Sequence, residues 1–360
     1  MADPLLFQPF TLRNLEIRNR VWAAPMCQYS ADAEDGVPVD WHFAHLSGLG
    51  RGGAGLVVTE ATAVVPEGRI SPRDLGLWNE TQEAAFSRIA DAVHVHGARI
   101  GVQLAHAGRK ASTYPALPGF ERGTVPVSEG GWQTVAPSAV AFEGFDEPRA
   151  LEADELPALV DAFVDASTRA VRAGIDVVQV HAAHGYLLHE FLSPLSNRRE
   201  DGYGGDLVGR ARIVREIVRA IRAEHPDLPI VVRVSAEDWV DGGFSVDEAE
   251  TLAGWLSEDD ADLIDVSSGG NSPTLPPRIG PSYQVGLAAQ VRRGPLPVGA
   301  VGLITSATQA EGILATGQAD VVSLARPLLV NPHLPIVWAH ELRAPHADAL
   351  VPGQYARARF

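Results

Sequence analysis

The chain has 360 residues, 46% of them apolar, which is enough to bury a large core as one domain or two. A formal charge of −16 argues against a nucleic-acid groove, which needs clustered Lys and Arg to neutralise phosphates. One cysteine (Cys27) and one lysine (Lys110) exclude an internal disulfide, a cysteine-ligated iron–sulfur cluster and any Schiff-base enzyme whose amine is not Lys110.

No apolar run reaches the ~18 residues of a membrane span. The start, MADPLLFQPF, lacks a basic segment followed by an apolar one, so no secretory signal is expected and the cytoplasm is the expected compartment. Apolar runs alternate with amphipathic stretches along the chain. Strands are expected at Val21–Ala24, Leu56–Thr59, Arg99–Leu104, Val177–Val180, Ile230–Val234, Leu263–Ser267, Pro297–Val301 and Val321–Ala325. Helices are expected at Glu83–His96, Glu155–Ala173, Leu207–Glu224, Val246–Glu258 and Ser306–Thr316. Eight βα units predict an α/β fold, a (β/α)8 TIM barrel spanning 1–360 as a single domain. An open doubly wound sheet is the structural alternative, although no G-x-G-x-x-G follows the first strand. Residues 105–149, with scattered Pro and Gly and apolar ends, read as a capping excursion after strand three, with a short hairpin over the mouth.

Ligands of such barrels sit on residues that follow the strands. After the first strand comes Ala24-Pro25-Met26-Cys27-Gln28-Tyr29, where composition alone favours a buried Met and Cys with a surface Tyr. The second runs into Glu60-Ala61-Thr62, and the small Ala61 lets a flat ring approach. The third carries Gln103, whose carboxamide both donates and accepts. The fourth, VVQV, leads at once into His181, His184 and Tyr186. Positions 181 and 184 face opposite sides on a strand, but converge if the chain turns into a helical geometry. A lone His beside an apolar strand is more often structural, and an H-x-x-H pair also suits a metal. The following HEFLS lacks the second His of H-E-x-x-H, so no metal is expected.

The fifth strand holds Arg233 in an apolar context, where either an anionic ligand or an ion pair with a strand-end Asp or Glu would explain it. The sixth ends at Ser267. Gly302 after strand seven and Ala325-Arg326 after strand eight read together as a phosphate clamp. With no dinucleotide fingerprint, a cofactor with one ring and one phosphate, FMN, fits.

The run HAAHGYLLHEFLSP followed by NRREDGYGG resembles the signature of the old yellow enzyme family, and Pro25–Tyr29 resembles its thermophilic-like bacterial branch. The resemblance runs from Pro25 to Arg357. It implies a tightly but non-covalently bound FMN, with NADPH (or NADH) as reductant. The implied activity is reduction of the activated C=C bond of small enones, enals, maleimides and nitroalkenes. It implies that Ala24, Pro25, Met26, Ala61, Ser267, Gly302, Ala325 and Arg326 hold the cofactor. Cys27 would lie beside the flavin ring and tune its potential, with Gln103 on the pyrimidine edge and Arg233 near N1 and O2. His181 also borders the cofactor; with His184 it would bond the substrate carbonyl, at which Tyr29 points, while Tyr186 protonates Cα.

The ending PGQYARARF reads by itself as a frayed basic tail. It is similar to the branch's Gln-Tyr-x-Arg ending, which implies that residues 351–360 carry Arg357 into a neighbouring subunit's site, in a homodimer or a homotetramer built from dimers. Ala358, Arg359 and Phe360 depart from that branch's Gly-Trp ending. Two alternatives stand: a Schiff-base aldolase using Lys110, and a non-catalytic barrel that binds flavin or another phosphorylated ligand.

Overall fold

A computed structural model describes residues 3–358. Eight strands form its centre: β1 (Val21–Ala23), β2 (Leu56–Ala63), β3 (Arg99–Ala105), β4 (Val177–Ala182), β5 (Ile230–Ser235), β6 (Leu263–Ser267), β7 (Val298–Ala300) and β8 (Val321–Leu324). Each pairs in parallel with the next, and β1 pairs with both β8 and β2, so the ring closes. Around it lie α1 (Asp40–Arg51), α2 (Glu80–His94), α3 (Leu156–Arg172), α4 (Leu187–Leu192), α5 (Leu207–Glu224), α6 (Val246–Glu258), α7 (Val285–Val291), α8 (Ala307–Ala315), α9 (Arg326–Val330) and α10 (Leu334–Glu341). The expected (β/α)8 barrel is the observed fold, and the open-sheet alternative falls.

Period-two alternation gives each strand two apolar faces. Val178, Val180, Val232, Val234, Ile264 and Val266 belong to the large cluster between strands and helices. Val177, Val231, Leu263 and Val321 join Trp22, Leu56 and Val58 in a separate cluster inside the ring. An antiparallel hairpin, Phe10–Leu12 with Leu15–Ile17, closes the barrel floor. Its Leu12 and Ile17 complete the inner cluster, and Phe10 meets Trp22 edge-on with ring centroids 6.1 Å apart.

Several elements differ from the sequence expectation. Helix α2 starts at Glu80 because Asn79 caps it: its side chain accepts from the Gln82 N–H, and Gln82 returns the bond in a capping box. Strand β2 continues to Ala63, where a register irregularity between Val58 and Ala61 lets it follow β3 past Thr59. Helix α1 was not anticipated, since Gly48 and Gly50 weaken its propensity. It forms because Leu46 and Leu49 enter the large cluster, and because the Val39 N–H donates to His42 Nδ1 at 3.0 Å. The expected hairpin in the excursion is absent. The excursion pairs Val135–Ala136 with Arg149–Ala150 in parallel, and one antiparallel bridge joins Thr113 to Thr124. Pro115, Pro118, Pro126 and Pro137 withhold the N–H groups a hairpin ladder needs.

Among the described residues no helix is long and apolar enough to cross a membrane. Trp22 is 2% exposed at the centre of the inner cluster. Trp22→Ala is expected to cost about 3–5 kcal/mol of stability, read as a lower denaturant midpoint. An unchanged midpoint would mean the floor contributes little.

Candidate active site

Inward positions on three adjacent strands change character together as they approach the mouth. They run Val177, Gln179, His181 on β4; Val231, Arg233, Ser235 on β5; and Leu263, Asp265, Ser267 on β6. Strand register sets Gln103 beside Gln179, Arg233 beside His181, and Arg233 beside Asp265. All five are nearly fully buried.

Past β4 the chain makes a left-handed turn rather than the expected helical one, with φ 61° at His184 and 72° at Gly185. That turn swings His184 back beside His181, ring centroids 5.2 Å apart at 75°, and sets Tyr186 5.2 Å from His181 at 70°. Glycine is required at 185, because a Cβ there would lie 2.1 Å from the Gly270 carbonyl oxygen. A Cβ on Gly270 would in turn lie 2.6 Å from the His184 backbone. Lys110 Nζ donates to both carbonyls of this contact, His184 O at 2.6 Å and Gly270 O at 3.0 Å. The His184 N–H donates to Ser235 Oγ at 2.9 Å, and its Nε2 is hydrogen-bonded with Ser267 Oγ at 2.7 Å. Under the turn, His189 Nδ1 accepts from the Gly185 N–H at 2.9 Å, and His189 Nε2 pairs with Asp238 at 3.1 Å.

Burial, reinforced by the charges of Arg233 and Lys110, holds both His181 and His184 well below the ordinary imidazole range. Both rings are therefore neutral near pH 7 and each has one N–H to give. Burial also pushes the Tyr186 phenol and the Cys27 thiol up, helped for Cys27 by the acidic Asp74 and Glu60. Tyr29, at a left-handed φ of 51°, is shifted up for the same reason and shares a hydrogen bond with Cys27. Lys110 is lowered to about 8 by burial.

Gln103 Nε2 donates to Gln179 Oε1 at 2.6 Å, and Gln179 Nε2 donates to Asp265 Oδ2 at 3.2 Å. Arg233 Nε lies 3.3 Å from the same Asp265 oxygen, close enough for an ion pair but misaligned for a hydrogen bond. Of the two explanations of Arg233, the ion pair is present, but with Asp265 in the middle of the neighbouring strand rather than at a strand end, and its Nε–H makes no hydrogen bond. His181 Nδ1 is likewise buried without a partner.

Two cavities flank this cluster. One of about 400 Å3 is lined by Ser267, Gly302, Ala325 and Arg326, with Tyr283 and Gln284. Gly302 has φ 119°, and a Cβ there would lie 2.7 Å from the Gln284 amide. The other, of about 310 Å3, is lined by Tyr29, Lys110 and Tyr186 under Tyr114, Phe120 and Phe145 of the excursion. Between β1 and α1, the Ala24 N–H donates to Leu324 O at 2.9 Å, and the Gln28 N–H donates to Glu60 at 3.0 Å. These bonds hold Pro25, Met26 and Cys27 at the mouth, and Ala61 stands beside Gln103 in register. Arg357 is different. It is exposed after the turn Gly353–Tyr355, whose Tyr355 rests on His333 at 5.7 Å, and it is not among the described residues lining either cavity. Arg359 and Phe360 lie outside the described residues.

Residues 5–344 match the NADH:flavin oxidoreductase / NADH oxidase family. The chain belongs to that family. It is 44% identical over 355 residues to an NADPH dehydrogenase of Listeria monocytogenes serotype 4b, covering 98% of each chain. Among solved structures it is similar to the old yellow enzyme homologue from Zymomonas mobilis, with a TM-score of 0.78 and 30% identity over 94% of this chain and 93% of that one. It is also similar to morphinone reductase, with a TM-score of 0.77 and 31% identity over 94% and 90% of the chains. The chain is therefore a flavin oxidoreductase of old yellow enzyme type, with FMN as its cofactor. The residues fit the group: the polar atoms of His181 and Arg233 that lack a hydrogen-bond partner suit a flat heteroaromatic edge, and the Gly302–Arg326 cavity suits a phosphate. The Schiff-base alternative falls with this membership, and Lys110 Nζ is already committed to two carbonyls.

The sequence reading did not single out Gln179, Asp265, Glu190 or the fastening role of Lys110. Gln179 was open to discovery, standing at the inward parity between Val177 and His181. Glu190 was not, because nothing local places it under the β3 loop. There its Oε1 accepts from the Arg109 N–H at 2.9 Å while its Oε2 has no partner, and burial pushes its carboxyl up to about 8. The folded chain then keeps a proton that the unfolded chain has lost, so this group costs stability as pH rises from the ordinary 4.5 to about 8. Glu190→Gln is expected to gain melting temperature relative to the parent through that window and to level off above it. A difference that stays constant between about pH 5 and about pH 9 would overturn the assignment.

Proposed function

We propose that the enzyme uses NADPH to reduce the activated C=C bond of small α,β-unsaturated carbonyl compounds, with enones, enals and maleimides as typical substrates. The observation that carries this reading is the neutral pair His181 and His184 held against the Tyr186 phenol. When bound, FMN supplies the electron-transfer chemistry, taking reducing equivalents from NADPH and passing them to the alkene. His181 and His184 each offer one N–H to the substrate carbonyl oxygen, where negative charge grows as an enolate forms. Tyr186 keeps its proton at neutral pH and gives it to the enolate carbon, a far stronger base. The Lys110 ammonium, 5.0 Å over the Tyr186 ring, favours the phenolate left behind.

The cofactor contacts are assigned to Ala24, Pro25, Met26, Cys27, Ala61, Gln103, His181, Arg233, Ser267, Gly302, Ala325 and Arg326. Tyr29 borders the substrate space with Lys110 and Tyr186. The chain works as one domain in the cytoplasm, in a homodimer or a tetramer of dimers whose tails bring Arg357 to the neighbouring site. Exposure of Arg357 on its own protomer favours that reading.

NADPH consumption driven by 2-cyclohexen-1-one under nitrogen tests the activity, and no consumption sinks it. In the yellow enzyme, p-hydroxybenzaldehyde is expected to raise a long-wavelength band. The double variant His181→Ala/His184→Ala is expected to keep FMN and lose that band; loss of FMN instead would make the pair a cofactor support rather than a substrate anchor. Tyr186→Phe is expected to slow alkene reduction by about 10²–10⁴-fold while sparing reduction of the enzyme by NADPH, as seen by rapid mixing. Normal rates in both half-reactions would assign the proton to another donor.

A further inference from the structure

The inner layer beneath the cofactor contacts has an order of its own. Gln179 and Asp265 stand on β4 and β6, which are not neighbours in the ring, yet Gln179 Nε2 reaches Asp265 Oδ2 at 3.2 Å across the barrel interior. That oxygen also takes the Arg233 contact at 3.3 Å. One buried carboxylate therefore touches the chemistry of both Gln103, through Gln179, and Arg233 directly.

We infer that Asp265 is a positioning residue that fixes which face of the Gln103 amide, and how much of the Arg233 charge, is turned toward the cofactor's pyrimidine edge. This rests on the reading that Gln103 and Arg233 meet that edge. The argument is one of donor and acceptor counting. An ionised carboxylate only accepts, so Gln179 must turn its NH2 group to Asp265 and its Oε1 toward β3. Gln103 must then give its own Nε2 to Gln179, as it does at 2.6 Å. The Gln103 carbonyl is left as the acceptor not spent on Gln179, the group that an imide N–H requires. Without an acceptor-only group at 265, either orientation of the two amides would satisfy the chain.

The Arg233 charge follows the same residue. Burial pushes the Asp265 carboxyl up, and the Arg233 guanidinium and the Gln179 amide oppose that push. The pair is misaligned, so Asp265 offsets the guanidinium charge without saturating its N–H groups. Room for the carboxylate is built in: β7 has Gly299 opposite, where a Cβ would lie 3.0 Å from Asp265 Oδ1. A pair present only for packing needs neither the linear amide chain nor the unpartnered Arg233 Nε.

Two readouts on the holoenzyme separate positioning from a merely structural role: release of FMN on dilution, and the midpoint potential of bound FMN. Asp265→Asn is expected to weaken FMN binding about tenfold and to move the potential positive, since the Arg233 charge then favours added electrons uncompensated. Gln179→Leu keeps the ion pair and frees Gln103, so affinity falls by about the same factor while the potential stays near the parent's. The double variant Gln179→Glu/Asp265→Asn restores an acceptor next to Gln103 and is expected to recover most of the lost affinity. Parental affinity and potential in Asp265→Asn overturn the inference. If that variant does not fold, parental affinity in Gln179→Leu overturns it instead. Unchanged affinity in both Gln103→Ala and Arg233→Ala would sink the underlying cofactor assignment, a separate failure.

Discussion

The site depends on one fastening. The Lys110 ammonium, on the loop after β3, donates to His184 O after β4 and to Gly270 O after β6, tying three strand-end loops at a single point. The two carbonyls come that close only because Gly185 and Gly270 have no Cβ to keep them apart. A shared cation between two carbonyls offsets their mutual repulsion, as water would in a looser loop. The fastening fixes the left-handed turn at His184, and the turn fixes the angle between the two imidazoles. It also brings a cation to 5.0 Å from the Tyr186 ring and 4.9 Å from Phe142 of the excursion. The only lysine of the chain thus couples loop geometry, phenol chemistry and the cover over the mouth.

Electrostatically, the titratable groups clustered after β1 and β4 are held neutral. Burial suppresses charge on His181, His184, Tyr186 and Cys27 alike, and the cations Arg233 and Lys110 reinforce it on the imidazoles. Glu60, behind Cys27, is pushed up by burial as well, and Asp74 reaches about 6. Under the proposed activity, neutral donors lining a low-dielectric mouth discriminate little against a neutral carbonyl in the ground state and strongly favour the oxyanion it becomes. Among the groups around the mouth, Arg233 beside Asp265 and Lys110 at the side carry fixed positive charge.

Much of this was legible in the sequence, for identifiable reasons. The strands could be read because each is buried on both faces and rich in β-branched residues, and His181, His184 and Tyr186 because polar residues crowd directly after one of them. What escaped was set by contacts distant in sequence. Helix α1 has two glycines where propensity asks for none, and only its packing explains it. The convergence of the histidines needs a left-handed turn whose logic lies in Gly270, 85 positions beyond Gly185. Asp265 read as an ordinary strand residue because its partners, Gln179 and Arg233, become its neighbours only when the ring closes. The Pro-rich excursion carried the signature of a cover but not its pairing, since the prolines that mark it also remove the donors a hairpin would use.

Ring closure also explains why cofactor and fold are one problem. The floor of the barrel, with Trp22 and Val321, is apolar, so the layer above it sits in a poor dielectric. In that layer an unmatched polar atom costs about 1–3 kcal/mol; His181 Nδ1 has no hydrogen-bond partner, and Arg233 Nε has only its misaligned ion pair with Asp265. A ligand that satisfies both atoms removes the penalty, and by mass action its binding free energy adds to the stability of the folded barrel. On the proposed cofactor assignment, the polar atoms left for the ligand also make the closed ring most stable when the site is occupied.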